Sequence, residues 1–402
     1  MDIIIGQGAA GTMAAATLKK LGREVTVITN EPDWYYSRID LPDIVSGKYR
    51  PADATLRTAG EFASQGIHCL MGETVAHIKL QDKTLALASG QLLSYDKLLL
   101  ATGGTPVVPP SAGWSLPGIY CLWTMAQARR IMTAATKAKT AVVIGAGLIG
   151  IKTALALKKR GLTVTVVEKM PRILPRQLDE TAAGIIRRQV EAAGVQILTG
   201  VQVAAFRATA ETVSTVALSS GQELACDLVV AAVGVKPNTS LAQAAGLEVR
   251  HGIVTSSLLA TSAADIYAAG DVAEVPDFLG GGHILSATWP AAVEQGRVAA
   301  RNMAGCKTGY AGYLAMNSVD IAGIPVVSAG DVFGADNDEI HSTCQNGVYK
   351  RIVLRHKVIR GLLFVGEVRD SGVLVNCLFR QVNMADIAPF SATFSFADLL
   401  AL

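Results

Sequence analysis

The sequence has 402 residues, half of them hydrophobic and 17% charged, which is enough apolar material for two or three domains with buried cores. Thirty-six lysines and arginines against 33 aspartates and glutamates leave a net charge of +3, too near balance to point to nucleic acid or an acidic membrane surface as a partner. No apolar run approaches the roughly 18–20 residues of a membrane span, and Met1-Asp2-Ile3-Ile4-Ile5-Gly6 opens directly on a strand with no basic leader, so a soluble, cytoplasmic chain is expected.

The first element predicted is a βαβ unit. Ile3-Ile4-Ile5 reads as a buried strand, Gly6-Gln7-Gly8-Ala9-Ala10-Gly11 as a tight turn into an alanine-rich helix ending near Leu21, and Val25-Thr26-Val27-Ile28 as the next strand. Glycine at 6 permits the turn, glycine at 8 lets the backbone approach a pyrophosphate, and glycine at 11 allows close helix packing; the helix N-terminus then faces the negative charge. Alone, such a motif can equally be a plain strand-to-helix connection.

A second unit settles the ambiguity. Ala141-Val142-Val143-Ile144 leads into Gly145-Ala146-Gly147-Leu148-Ile149-Gly150 and then to a strand ending at Glu168, 23 residues beyond Gly145. A carboxylate there receives the adenine-ribose hydroxyls of NAD and repels a 2′-phosphate, which predicts NADH over NADPH, although Arg172 stands nearby. In the first unit Thr29 holds the corresponding place, and Glu31 is either a ribose ligand or a solvated turn residue before Pro32. Asp96, Ala101, Gly103 and Pro106 recur as Asp227, Ala232, Gly234 and Pro237 at a constant offset of 131, so the halves are variants of one plan. Later, Ile266-Tyr267-Ala268-Ala269-Gly270-Asp271 is a short strand delivering an aspartate placed to accept a hydrogen bond from a sugar-alcohol hydroxyl. The six cysteines (Cys69, Cys121, Cys226, Cys306, Cys344, Cys377) include no Cys-x-x-Cys pair.

In order, GxGxxG, ATGG, GxGxxG with Glu168, GVKPN and YAAGD resemble the pyridine nucleotide-disulfide oxidoreductase superfamily over residues 1 to about 305. The resemblance implies an α/β fold with two Rossmann-like dinucleotide-binding domains and a small C-terminal α+β domain. The FAD domain is discontinuous (1–112 and 239–308), the NAD domain (113–238) is inserted in it, and the last domain is 309–402. By the same resemblance Gly6, Gly8, Ala10, Gly11, Glu31, Arg38, Ala101, Thr102, Gly103, Gly270, Asp271 and Trp289 lie at FAD, and Gly145, Gly147, Ile149, Gly150, Glu168 and Gly234 at NADH. Tyr36-Ser37-Arg38-x-x-Leu41, GVKPN and WPAAVEQGRVAARNMAG look most like the flavin domains of NADH-dependent nitrite reductases and rubredoxin reductases. Leu402 precedes any iron-sulfur and sirohaem region, so nitrite reduction by this chain alone is not expected.

Relatives that act on disulfides carry a redox cysteine in the first domain, and here Ile39 stands about where the single one would be. Persulfide, disulfide and sulfenate chemistry thereby lose their nucleophile. NADH would pass a hydride to flavin N5 and the flavin would pass electrons on directly. Rubredoxin-reductase-like relatives also place a lysine near the flavin and a glutamate facing the nicotinamide, where this chain has Asp43 and Lys152. Either these two form a charge-swapped catalytic pair, or Asp43 belongs to a turn and Lys152 is an ordinary helix lysine. Trp289-Pro290 either opens a helix whose amides face the flavin pyrimidine or is core packing. His77, His251 and His283 have no metal-ligand spacing, so no metal is expected. Lys350-Arg351 with Arg355-His356-Lys357 is a solvated basic face or a dock for an acidic carrier. The expected function is an NADH:acceptor oxidoreductase feeding a rubredoxin-like or ferredoxin-like protein or a partner subunit. An NADH oxidase using dioxygen and a flavin-bearing regulatory scaffold are the alternatives, and the oligomeric state is left open.

Overall fold

The structure is a computed structural model that describes residues 1–108 and 111–384. Contacts divide the chain into two compact units, the first built from Met1–Arg38, Pro51–Thr105 and Val235–Leu314, the second from Ile39–Arg50, Pro106–Gly234 and the described residues from Ala315 onward.

In the first unit a five-stranded parallel sheet runs in the order Ile266–Ala268, Leu98–Leu100, Asp2–Ile5, Val25–Thr29, His68–Met71. Its inner strands are buried on both faces, with Ile3, Ile4, Leu98 and Leu99 fully inaccessible, which is why they read as unbroken apolar runs and not as alternation. The chain thus returns from beyond residue 234 to complete a sheet begun at residue 2. The helix Ala9–Lys20 packs on Trp289–Met303, and the approach is close enough that a Cβ on Gly296 would stand 2.2 Å from the Ala10 carbonyl oxygen.

The second unit repeats the plan. Its parallel sheet has the order Val195–Thr199, Thr163–Glu168, Thr140–Ile144, Leu228–Ala231, Ile119–Cys121. The repeat extends to the strand starts: the Asp227 carboxylate accepts the N–H groups of Lys139 and Thr140 at 2.8 and 2.9 Å, while Asp96 holds the Met1 amino group. The same unit contains a five-stranded antiparallel sheet, in the order Met316–Ile321, Ile324–Gly330, Val358–Val365, Val348–Arg355, Glu339–Gln345, with the helix Ser371–Phe379 against Val358–Val365. Residues 39–50, expected in the flavin domain, pack with this unit, because Leu41, Ile44 and Val45 of the short helix Leu41–Ser46 are buried and that helix lies against Leu148–Lys159 and Met125–Ala135.

Candidate functional site

Each glycine-rich turn contains two glycines that the protein itself requires and one that it does not. A Cβ at Gly6 would stand 2.1 Å from the Ala101 oxygen, and one at Gly11 would stand 1.9 Å from the Gly6 oxygen. Gly8 has φ −69° and ψ −169°, open to any residue, and a Cβ there meets no atom within 4 Å. The second turn matches: a Cβ at Gly145 would stand 2.5 Å from the Ala232 oxygen and one at Gly150 1.9 Å from the Gly145 oxygen, while Gly147, at φ −74°, faces open space. Neither backbone conformation nor protein packing requires glycine at 8 and 147, and its absence of a side chain leaves the backbone there open to close approach by a molecule.

The helix ends agree. In Ala9–Lys20 the first helical bond is Thr12 N–H to the Gly8 carbonyl at 2.9 Å, so the amides of Ala9, Ala10 and Gly11 precede it; in Leu148–Lys159 it is Ile151 N–H to Gly147, also 2.9 Å, after Leu148, Ile149 and Gly150. Neither helix has a capping side chain or an acid in its first turn. Three helices do carry a side-chain cap, Thr58 with Glu61, Thr124 with Gln127, and Asp179 ahead of Glu180–Ala192, while Leu41–Ser46, Ser240–Ala244, Trp289–Met303 and Ser371–Phe379 share the uncapped start. What sets Ala9–Lys20 and Leu148–Lys159 apart is an uncapped start directly behind an open glycine, which leaves the N-terminal amides and dipole accessible to an anion, and a dinucleotide pyrophosphate fits both places. The Ala10 side chain itself is buried, 3.1 Å from where a Cβ on Gly270 would lie.

Glu168 is buried at the end of its strand, where its carboxylate accepts the N–H of Ala146 at 2.7 Å and of Met170 at 2.8 Å. Two oxygens offer about four acceptor sites, so capacity remains for ribose hydroxyls. Glu31 is not a solvated turn residue: Tyr36 donates to it at 2.6 Å and Arg38 pairs with it, the guanidinium also lying 5.4 Å from the Tyr36 ring centroid. Burial pushes the Asp271 carboxyl up, and the positive charge of Arg38 opposes that shift.

Asp271 follows Gly270, whose N–H is held by Gln295 Oε1 at 2.8 Å; Gln295 is fully buried and donates in turn to Ser286 at 2.6 Å and Tyr310 at 3.2 Å. Gln295 lies within WPAAVEQGRVAARNMAG, where no local pattern distinguishes it from a surface glutamine. Asn238, in GVKPN, is likewise unmarked; it exchanges hydrogen bonds of 2.8 and 2.9 Å with Thr102 and donates its backbone N–H to Gly103 at 2.9 Å, closing the turn after Ala101. Gly234 accepts from Val107 N–H at 2.9 Å in the equivalent turn of the second unit. Trp289 opens its helix, is 40% exposed and donates its indole N–H to Tyr35 at 3.1 Å, so it is not core packing.

Two expectations need correction. The direct pair of Asp43 and Lys152 is absent: Asp43 pairs with Lys48 at 3.2 Å, and among the described residues Lys152 has no ion pair. Both belong to helices that pack together, but Gly47, in the left-handed conformation at the helix end, turns the chain so that a lysine five residues away meets Asp43 locally. The basic cluster is not one continuous face: Lys350 is buried against Asp370 and Arg351 reaches Asp179, while Arg355 and Lys357 remain at the surface, paired with Asp338 at 2.6 Å and Glu339 at 2.7 Å.

All six cysteines are free. Burial holds Cys69 and Cys226 up at about 11, far from thiolate formation, and Ile39 is 51% exposed at the place of the missing nucleophile. Among the described residues no group of three or more metal-binding side chains exists, and no helix is long and apolar enough to cross a membrane.

This pairing of two dinucleotide turns defines a class, and the profile of the pyridine nucleotide-disulphide oxidoreductases matches residues 2–296: the chain belongs to that family of FAD- and NAD(P)H-dependent oxidoreductases. Among individual proteins, it is 32% identical to the assimilatory nitrate reductase electron transfer subunit of Bacillus subtilis over 95% of this chain and 50% of the relative. It is 31% identical to rhodocoxin reductase of Rhodococcus erythropolis over 92% of this chain and 87% of the relative. The chain spans about half the length of the two Bacillus subtilis relatives it matches, the second being a nitrite reductase. The crystal structure of a covalent putidaredoxin reductase–putidaredoxin complex superposes with a TM-score of 0.89 at 27% identity, covering 95% of this chain and 93% of that one.

Proposed function

We propose that the chain oxidises NADH, with FAD held at the first glycine turn, and delivers electrons without a redox cysteine to an iron protein or a partner subunit. The observation that carries this reading is the pair of open middle glycines, each directly ahead of an uncapped helix start, in a chain with Ile39 where a reactive cysteine would stand. FAD supplies the step between a two-electron donor and an acceptor of single electrons.

The chain's own groups bind and orient. The amides of Ala9 to Gly11 take the FAD pyrophosphate, Glu31 and Arg38 the adenosine side, and Asp271 a hydroxyl of the ribityl chain. The amides behind Trp289 place a positive dipole end where negative charge develops. Leu148 to Gly150 hold the NADH pyrophosphate, and Glu168 receives the ribose hydroxyls and disfavours a 2′-phosphate. Lys152, one turn into that helix and without an ion-pair partner among the described residues, adds positive charge on the nicotinamide side. The matched proteins named as reductases of rhodocoxin and putidaredoxin, and as an electron transfer subunit, support a protein acceptor.

The test is an anaerobic titration of the purified flavoprotein with NADH, followed by rubredoxin, ferredoxin, nitrite, quinone and air in parallel. Stoichiometric bleaching and reoxidation faster with an iron-sulfur protein than with air is the expected result. Equal rates with air alone would make the chain an oxidase, and no bleaching would make it a scaffold.

A further inference from the structure

Between Glu168 and Asp179 lies the loop that follows the second strand of the nicotinamide-side sheet, and it carries three cations: Lys169, Arg172 and Arg176. An arginine in such a loop is what accommodates the 2′-phosphate in NADPH-using proteins. Lys169 and Arg176 are exposed, whereas Arg172 is half-buried and occupied by the protein. Its Nε donates to the Leu178 oxygen at 3.1 Å and its Nη2 to the Pro175 oxygen at 3.4 Å, and its Cζ lies 5.6 Å from the centroid of the Phe333 ring.

Phe333 belongs to a different sheet, in the connection from Ile324–Gly330 to Glu339–Gln345, and its place is enforced. Arg351 donates to the Val332 and Phe333 oxygens, both at 2.9 Å, and Asp331 accepts the N–H groups of Phe333 and Gly334 at 3.1 and 3.0 Å. Arg351 also stands 3.5 Å from Asp179, which accepts the Tyr349 hydroxyl and caps the next helix through Ala182 N–H at 2.9 Å. The antiparallel sheet therefore grips the adenosine-side loop at both ends, at Arg172 and at Asp179.

We propose that this grip is a specificity device: Phe333 keeps Arg172 turned onto its own loop and away from a 2′-phosphate, so that selectivity for NADH depends on Phe333 as well as on Glu168. The inference rests on the nucleotide assignment made above. The two hydrogen bonds that hold Arg172 are long or at the edge of good geometry, and a phosphate offers a guanidinium shorter, charge-assisted and bidentate ones. The ring contact is the remaining restraint, and cation–π attraction of this kind is lost when the ring becomes aliphatic.

The experiment measures calorimetric binding of NADP+ and NAD+ to the full-length, FAD-loaded protein, so no turnover is needed. Phe333→Leu keeps an apolar side chain and removes the π face. NADP+ should bind about tenfold tighter, the effect of roughly one charged hydrogen bond, while NAD+ affinity changes by less than about twofold. Adding Arg172→Gln should abolish the gain. Arg172→Gln alone leaves Phe333 in place, and should not alter NADP+ affinity. An unchanged NADP+ to NAD+ ratio in Phe333→Leu, a gain that survives Arg172→Gln, or a loss of NADP+ affinity in Arg172→Gln alone would each overturn the proposal. Failure of the underlying assignment shows separately, as wild-type protein that does not bind NAD+, and would overturn this proposal with it.

Discussion

Alanine at position 8 and alanine at position 11 should fail for opposite reasons. At Gly8 the backbone already has an extended conformation at φ −69°, and the new Cβ meets no protein atom within 4 Å. Reducing the freedom of the unfolded chain stabilises by about 0.4–1 kcal/mol, and replacing glycine by alanine at a helix N-cap costs roughly 0.5–1 kcal/mol. The terms offset, so Gly8→Ala apoprotein should unfold within about 1 kcal/mol of wild type, while FAD affinity falls by tenfold or more, about 1.4 kcal/mol, because the methyl occupies the space over the turn. At Gly11 the Cβ would lie 1.9 Å from the Gly6 oxygen and the helix must move, at a cost of about 3 kcal/mol or more. Urea unfolding of both apoproteins and the fluorescence of released FAD separate the cases. Gly8→Ala protein that retains FAD with wild-type affinity, or that is as unstable as Gly11→Ala, would falsify the assignment of that space to a ligand.

Three further outcomes are expected. Gln295→Leu strands the buried Gly270 N–H and should lower unfolding free energy by about 1–3 kcal/mol, with weaker FAD retention; wild-type stability would mean that the Gly270–Asp271 turn is held some other way. With Asp43 paired to Lys48, the rate effects of Asp43→Asn and Lys152→Met should be additive within about twofold, and a coupling of tenfold or more would show that the two side chains do meet. The Arg355 guanidinium, helped by Ala335 N–H, holds the Asp338 carboxyl down at about 2. That contribution is complete above about pH 4 and is lost as pH falls toward 2, so Asp338→Asn should flatten the acid limb of a pH series of melting temperatures; an unaltered limb would refute the pairing.

The parallel strands and glycine turns were readable because their causes are local. Ile3 to Ile5 and Leu98 to Leu100 are continuous apolar runs, the capped helices announce themselves as Thr58-x-x-Glu61 and Thr124-x-x-Gln127, and the starts at Gly8 and Gly147 are marked by their glycine spacing. What was not readable depends on where side chains go after packing. Whether Asp43 meets Lys48 or Lys152 turns on a left-handed glycine at 47, and whether residues 39–50 join one unit or the other turns on Leu41, Ile44 and Val45 finding a helix more than a hundred residues away. The basic run near Lys350 was misleading for a similar reason: the antiparallel register sets Glu339 opposite Leu354, bringing Asp338 and Glu339 to Arg355 and Lys357. Glu168 is legible in the sequence as the carboxylate at the end of its strand, whereas its two backbone donors belong to the turn and the loop it joins.

The strand Leu98–Leu100 has one neighbour, Asp2–Ile5, made before it, and another, Ile266–Ala268, made long after. On a ribosome adding about 5–20 residues each second, that interval lasts on the order of ten to thirty seconds, during which one edge of the strand is unpaired in the nascent chain. The parallel sheet of the second unit, whose strands lie between residues 119 and 231, is fully synthesised within the same interval. Vectorial synthesis therefore lets the nicotinamide-side sheet close first. Gly270 and Asp271 emerge directly behind the strand that finishes the flavin-side sheet, and Gln295, which holds the Gly270 N–H, follows 25 residues after Gly270, so that turn is fixed only after the sheet is complete.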